Sequence, residues 1–132
     1  MDEKIVRTDA EWRSRLSDLA YKVTRHHGTE RAFSNDNFPK DKGVFRCICC
    51  DAALFDQAHK FDSGTGWPSF WAPIKGAPVA EKEDRGFFMR RTEVHCARCE
   101  AHLGHVFPDG PAPTGLRYCL NGVALRFVPE AG

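Results

Sequence analysis

Six cysteines and six histidines are the residues here whose types and spacing could do chemistry. Four of the thiols fall in two matched pairs, Cys47 with Cys50 and Cys96 with Cys99, each with two residues between. Zinc bound by thiolates takes four ligands in a tetrahedron, commonly supplied as two such knuckles. Disulfides would suit a secreted chain, for which nothing here argues. A redox pair of this spacing usually occurs once, beside a βαβ pattern that this sequence lacks. A site closed by four thiolates has no open position for substrate or activated water, so the expected zinc is structural. Such a metal contributes roughly 10–16 kcal/mol in small zinc domains, more than the usual net stability of a fold.

Subtracting the four ligands leaves Cys49, a spare thiol inside the first knuckle, and Cys119. Free cysteine is often a small buried hydrophobe, and that reading of Cys119 stands beside a reactive one. Arg117 lies two positions earlier, hence on the same face of a strand, where a guanidinium would favour the thiolate. Asn121 could donate to a developing negative charge. His102 and His105 could supply a proton, and Trp67, beside a glycine pair, could wall a pocket or simply cap the core. A thiolate, a cation, a proton donor and an indole suit attack on a small, neutral, polarised group.

These groups need elements to hold them. Thr8 and Glu11 form a capping box, after which Trp12, Leu16, Leu19, Ala20 and Val23 recur at helical spacing. Gly28 is a plausible stop, and Ser17-Asp18 could restart the helix, giving two short helices or one. His26 and His27 are expected in solvent. Ala32 to Asp41 reads as a polar loop. Short strands are expected at Val44-Phe45-Arg46, Leu54-Phe55 and Lys60-Phe61, and a longer one from Phe87 to His95 after a turn at Gly86. Ser63 to Trp71 is a glycine-rich aromatic loop in which Phe70 and Trp71 cap the core. Residues 72–84 are broken by Pro73, Gly76 and Pro78 and give no clear reading. Pro108 to Gly115 is a loop. Leu116–Leu120 and Val123–Val128 flank Asn121-Gly122, a strong hairpin signal. Together these predict a mainly antiparallel β domain with a helical N-terminal arm.

The 132 residues fit one domain, residues 1–132, with the arm over about 8–28. The formal charge of +1 and the lack of a basic stripe argue against nucleic-acid binding. No apolar leader or membrane-length apolar run appears, and thiols kept reduced suit a cytoplasmic setting.

Three long motifs then identify a relationship: Phe61-Asp62-Ser63-Gly64 with Gly66-Trp67-Pro68-Ser69-Phe70, His102-Leu103-Gly104-His105-Val106-Phe107, and Gly115-Leu116-Arg117-Tyr118-Cys119-Leu120-Asn121. With the two knuckles, they make nearly the whole chain resemble the zinc-containing type B methionine-R-sulfoxide reductases. The resemblance implies two antiparallel sheets and reduction of the R epimer of methionine sulfoxide, mainly in oxidised proteins. It implies Cys119 as the nucleophile that becomes a sulfenic acid and Trp67 as the wall for the ε-methyl group. His102, His105, Asp109, Arg117 and Asn121 would bind the sulfoxide oxygen, directly or through water. Many relatives carry a resolving cysteine where this chain has Thr65, so an external thiol such as thioredoxin, glutaredoxin or glutathione is the expected reductant; Cys49 is the weaker substitute. The competing function class is a zinc-stapled redox-sensor or interaction domain without turnover.

Overall fold

The computed structural model describes residues 4–86 and 89–130. Thr8 caps α1 (Asp9–Arg15): its hydroxyl accepts from the Glu11 N–H at 3.2 Å, and the Glu11 carboxylate accepts from the Thr8 N–H at 3.0 Å. The helix stops at Leu16, and Ser17 caps α2 (Asp18–Arg25), so the arm is two helices. This break re-phases the apolar stripe. Trp12, Ala20 and Val23 are buried, whereas Leu19 turns outward and is 41% exposed, against the expectation from continuous periodicity. The second helix ends at Arg25, just short of Gly28.

Every strand pair is antiparallel. One sheet has the order β2-β1-β9, from β1 (Gly43–Cys47), β2 (Ala53–Asp56) and β9 (Leu125–Pro129). The other has the order β3-β4-β8-β7-β6-β5, from β3 (Lys60–Phe61), β4 (Ser69–Phe70), β5 (Val79–Gly86), β6 (Met89–Cys96), β7 (His102–Phe107) and β8 (Arg117–Leu120). Alternation along β1 sends Phe45 and Cys47 inward. Phe45 meets Phe70 edge-on at 5.0 Å, and Phe55 meets Phe70 at 4.7 Å, so phenyl rings join the two sheets. Phe45, Phe55 and Phe70 are fully buried. Trp71 is half-buried and stacks on His59 at 4.0 Å.

The hairpin expectation needs correction, and the stretch without a clear reading gains a strand. Asn121-Gly122 is not a hairpin turn: β8 pairs with β4 and β7, while β9 pairs with β1 in the other sheet. Gly122 opens a 3-10 turn, Gly122–Ala124, that carries the chain between sheets. The glycine is needed for close approach, since a Cβ there would lie 1.9 Å from the Asn35 carbonyl oxygen. The unread stretch before Gly86 contains β5, paired with β6 from Val79↔Cys96 to Gly86↔Met89. Its exposed Glu81, Lys82 and Glu83 are the charges that protect an edge strand, and they hid its strand character. Gly86 ends β5, and Phe87 and Phe88, the expected start of the next strand, lie outside the described residues.

Candidate active site and metal centre

The two knuckles fold into the same turn. The Asp51 N–H donates to the Cys47 carbonyl at 2.8 Å, the Glu100 N–H to the Cys96 carbonyl at 2.8 Å, and Asp51 and Glu100 have φ of 66° and 65°. Each turn thus aims its two sulfurs at one point. Cys47 and Cys99 Sγ lie 3.6 Å apart, and Cys50 and Cys96 Sγ 3.7 Å apart. A zinc–sulfur bond of about 2.3 Å gives tetrahedron edges of roughly 3.8 Å, so the donor set fits a zinc ion. The arm is tied to this corner: Arg25 donates to the Cys99 carbonyl at 2.7 Å and lies over the Trp12 ring at 4.4 Å. Cys49 is 6% exposed, and its thiol donates to Thr24 Oγ1 on α2.

The second site is a row across the larger sheet. Register places Ser69 opposite Cys119, Cys119 opposite His105, His105 opposite Glu93, and Glu93 opposite Lys82. Directly opposed residues share a face, so a hydroxyl, a thiol, an imidazole, a carboxylate and an ammonium stand in line. His102 is three residues from His105 and in a regular strand would face away. The ladder shifts register between Val94 and His95, with Leu103 the extra residue on β7. That bulge inverts the alternation and returns His102 to the side of His105, ring centroids 5.5 Å apart. His102 Nδ1 then lies 2.6 Å from Glu93 Oε2. Both side chains are buried. Burial lowers the His102 pKa, and the Glu93 carboxylate acts against that shift.

Cys119 opens into a cavity of about 260 Å³ whose walls include Trp67, His105, Phe107, Arg117 and Asn121. This is smaller than a drug-sized pocket and suits one unbranched side chain. Arg117 donates to both Asp109 oxygens, at 2.9 and 3.1 Å, and lies 4.6 Å over the Phe107 ring. Asp109 does not line the cavity but fixes the guanidinium from solvent, and the Arg117 hydrogen bonds hold its carboxyl below the usual range. Burial pushes the Cys119 thiol up; the Arg117 charge and hydrogen bonds from Thr65 and Arg117 pull it down without winning. The favouring of thiolate expected from Arg117 is real in sign but outweighed by desolvation.

His102 does not line this cavity. It lines an adjoining one with His27 and Glu93, and His105 lines both. His26 is exposed as expected, with Nε2 2.7 Å from the Tyr21 hydroxyl. His27 is likewise exposed as expected, and its Nε2 lies 3.4 Å from Glu93 Oε2.

Glu30, which no sequence pattern singled out, holds two walls of the Cys119 cavity and the turn that follows them. Its carbonyl accepts from the Trp67 indole at 3.0 Å, and its N–H donates to Asn121 Oδ1 at 2.9 Å. Its carboxylate, 2% exposed, accepts from the Gly122 and Val123 N–H groups, both at 2.8 Å. Asn121 in turn donates to the Leu103 carbonyl at 3.1 Å, bracing the bulge. Glu30 and Glu93 sit in polar text without a motif; only their burial marks them.

The profile of the SelR domain family matches residues 16–129. A "Peptide methionine sulfoxide reductase MsrB" of Pseudomonas savastanoi pv. phaseolicola is 56% identical over 129 residues, covering 97% of this chain and 98% of that protein. The protein of the same name from Pseudomonas fluorescens is 57% identical over 129 residues, 97% of this chain and 99% of its own. That from Thioalkalivibrio sulfidiphilus is 56% identical over 121 residues, 91% and 88%. A metal corner and a thiol–imidazole row carried on one continuous match of this extent lead to a single assignment: the chain belongs to the SelR domain family.

Proposed function

We propose that this chain is an oxidoreductase that reduces the R epimer of methionine sulfoxide, mainly within oxidised proteins, with Cys119 as its nucleophile. The observation that carries the reading is the pairing of Cys119 with His105 at the floor of a side-chain-sized cavity walled by Trp67. The relatives' names supply the reaction class. Trp67, held by Glu30, receives the ε-methyl group and so selects which face of sulfur is offered. The Cys119 sulfur attacks the sulfoxide sulfur while its oxygen takes up a proton. His105 and Arg117 bind that oxygen, with Asp109 fixing Arg117; Asn121 shapes the wall, and His102 acts through His105 or water.

The balance is Cys119–SH plus sulfoxide giving Cys119–SOH plus thioether, which restores an apolar side chain. An external thiol then attacks the sulfenic sulfur, releasing water and leaving a mixed disulfide that a second thiol opens. Thr65 has no sulfur to resolve the sulfenic acid, and Cys49 is packed against Thr24 beside the knuckles. Both favour a reductant such as thioredoxin, glutaredoxin or glutathione. Zinc at Cys47, Cys50, Cys96 and Cys99 is structural. The whole of residues 1–132 acts as one domain, and its reduced thiols suit the cytoplasm.

Turnover of the separated epimers with dithiothreitol tests the reading. Consumption of the R form alone, lost in Cys119→Ser, is expected; no turnover of either epimer by folded, zinc-loaded protein would sink it.

A further inference from the structure

At the carboxylate of the thiol row, three side chains from separate parts of the chain converge on one point. Glu93 Oε2 lies 2.6 Å from His102 Nδ1 and 3.4 Å from His27 Nε2. The three donor atoms all lie within 4.8 Å of one another. Glu93 and His102 are buried, and the trio lines a cavity of about 430 Å³ that adjoins the Cys119 cavity at His105. The two carboxylate oxygens are divided: Oε2 faces the imidazoles, while Oε1 faces the Lys82 ammonium at 3.6 Å. The oxygen that would bind an ion is thus not the one nearest the lysine. His27 is delivered by a backbone held at φ 54°, a conformation few non-glycine residues adopt.

We propose that His27, Glu93 and His102 form a second metal site, for a divalent transition ion such as zinc or cobalt, whose occupancy shuts the enzyme down. Two imidazole nitrogens and one carboxylate oxygen are a donor set for such ions, with one position left for water. Magnesium and calcium are excluded by chemistry, since they want mainly oxygen donors and only one is present. Binding uses the Nδ1 lone pair of His102, so its proton moves to Nε2 and its hydrogen bond to Glu93 is exchanged for a shared ion. The ion would stand beside His105, which lines both cavities, and would withdraw His102 from its support. Unlike the four-sulfur centre, this site is open, so the ion would come and go with its free concentration. Binding rests on the geometry alone; the inhibitory consequence rests on the proposed reductase activity.

The test uses the full chain with its four-cysteine site loaded, in metal-depleted buffer, titrated with cobalt(II) or zinc(II). A second equivalent of cobalt should bind with ligand-field absorption and no added thiolate charge-transfer band, unaffected by excess magnesium. His27→Ala should keep wild-type turnover without added metal, but bind the second equivalent roughly tenfold or more weakly and escape inhibition to the same degree. Glu93→Gln should lose the second equivalent, and Cys119→Ser should retain it. Binding of only one equivalent overturns the site, as does an undiminished second equivalent in His27→Ala. Loss of the second equivalent in Cys119→Ser would assign it to the nucleophile and overturn the site equally. Absorbance is read without substrate, so failure of the reductase assay leaves this result standing or falling by itself.

Discussion

The four-sulfur corner and the Cys119 row are both built on cysteine, but they are assembled in opposite ways. At the corner, each pair of sulfurs is aimed by one tight turn, and joining two copies of that turn completes the set. The row draws one residue from each of five strands and depends on register, on a bulge at Leu103 and on Glu30 from beyond the arm. Closed around a zinc ion, the first would be a stabiliser without reactivity. In the proposed reading the second is reactive, with a cavity open to a side chain and a buried carboxylate that costs stability rather than adding to it. On that reading, one thiol type serves as staple or as nucleophile according to whether its neighbours close around it.

The sharpest way to break this contrast is Cys99→Ser. It should release zinc and cost several kcal/mol of the roughly 10–16 kcal/mol that such sites supply, leaving little folded protein at 37 °C. Zinc content and thermal melting read it, and an unchanged pair of values would reject the ligand assignment. Cys119→Ser should do the reverse, with turnover falling by roughly a thousandfold or more while zinc and melting temperature stay put. A shift in melting of many degrees would mean that the row also carries stability.

Glu30→Ala sits between the two regions. Leaving the Gly122 and Val123 N–H groups buried without acceptors should cost about 2–4 kcal/mol, measured by denaturant unfolding. Alanine keeps the Glu30 carbonyl and N–H that hold Trp67 and Asn121, but without its carboxylate anchor that main chain should loosen and relax the preference for the R epimer. A variant that loses stability but keeps full epimer selectivity would make Glu30 a scaffold residue only.

The smallest effect concerns pH. Because burial raises the Cys119 pKa, thiolate is scarce near neutrality, and kcat/KM should climb as pH rises through the alkaline range. Arg117→Gln removes a charge and a hydrogen bond that lower this pKa, so its rising limb should move to higher pH. A limb that stays in place would show that Arg117 acts on substrate alone.

Much of the corner was legible beforehand, because two-residue spacings translate directly into turn geometry. The capping box and Ser17 restart were equally local. The hairpin failed for the opposite reason. Asn121-Gly122 has the composition of a two-residue turn, but the Glu30 carboxylate captures the Gly122 and Val123 N–H groups and sends β9 to another sheet. The strand β5 was hidden because an exposed edge needs charge more than alternation. His27 is exposed, as its place after the helix implies, but its approach to Glu93 is invisible in the sequence, since nothing adjacent in the chain announces that carboxylate.

From sequence alone came the candidate groups: which sulfurs pair, which is left over, and that an indole, two imidazoles and a guanidinium accompany it. Those are properties of residue type and short spacing, which the backbone expresses locally. The alignment of Cys119, His105 and Glu93, the return of His102 through a bulge and the anchoring of Trp67 by Glu30 were decided only in three dimensions. Register between strands distant in the chain is chosen by the packing of the whole core, and no single segment carries that information.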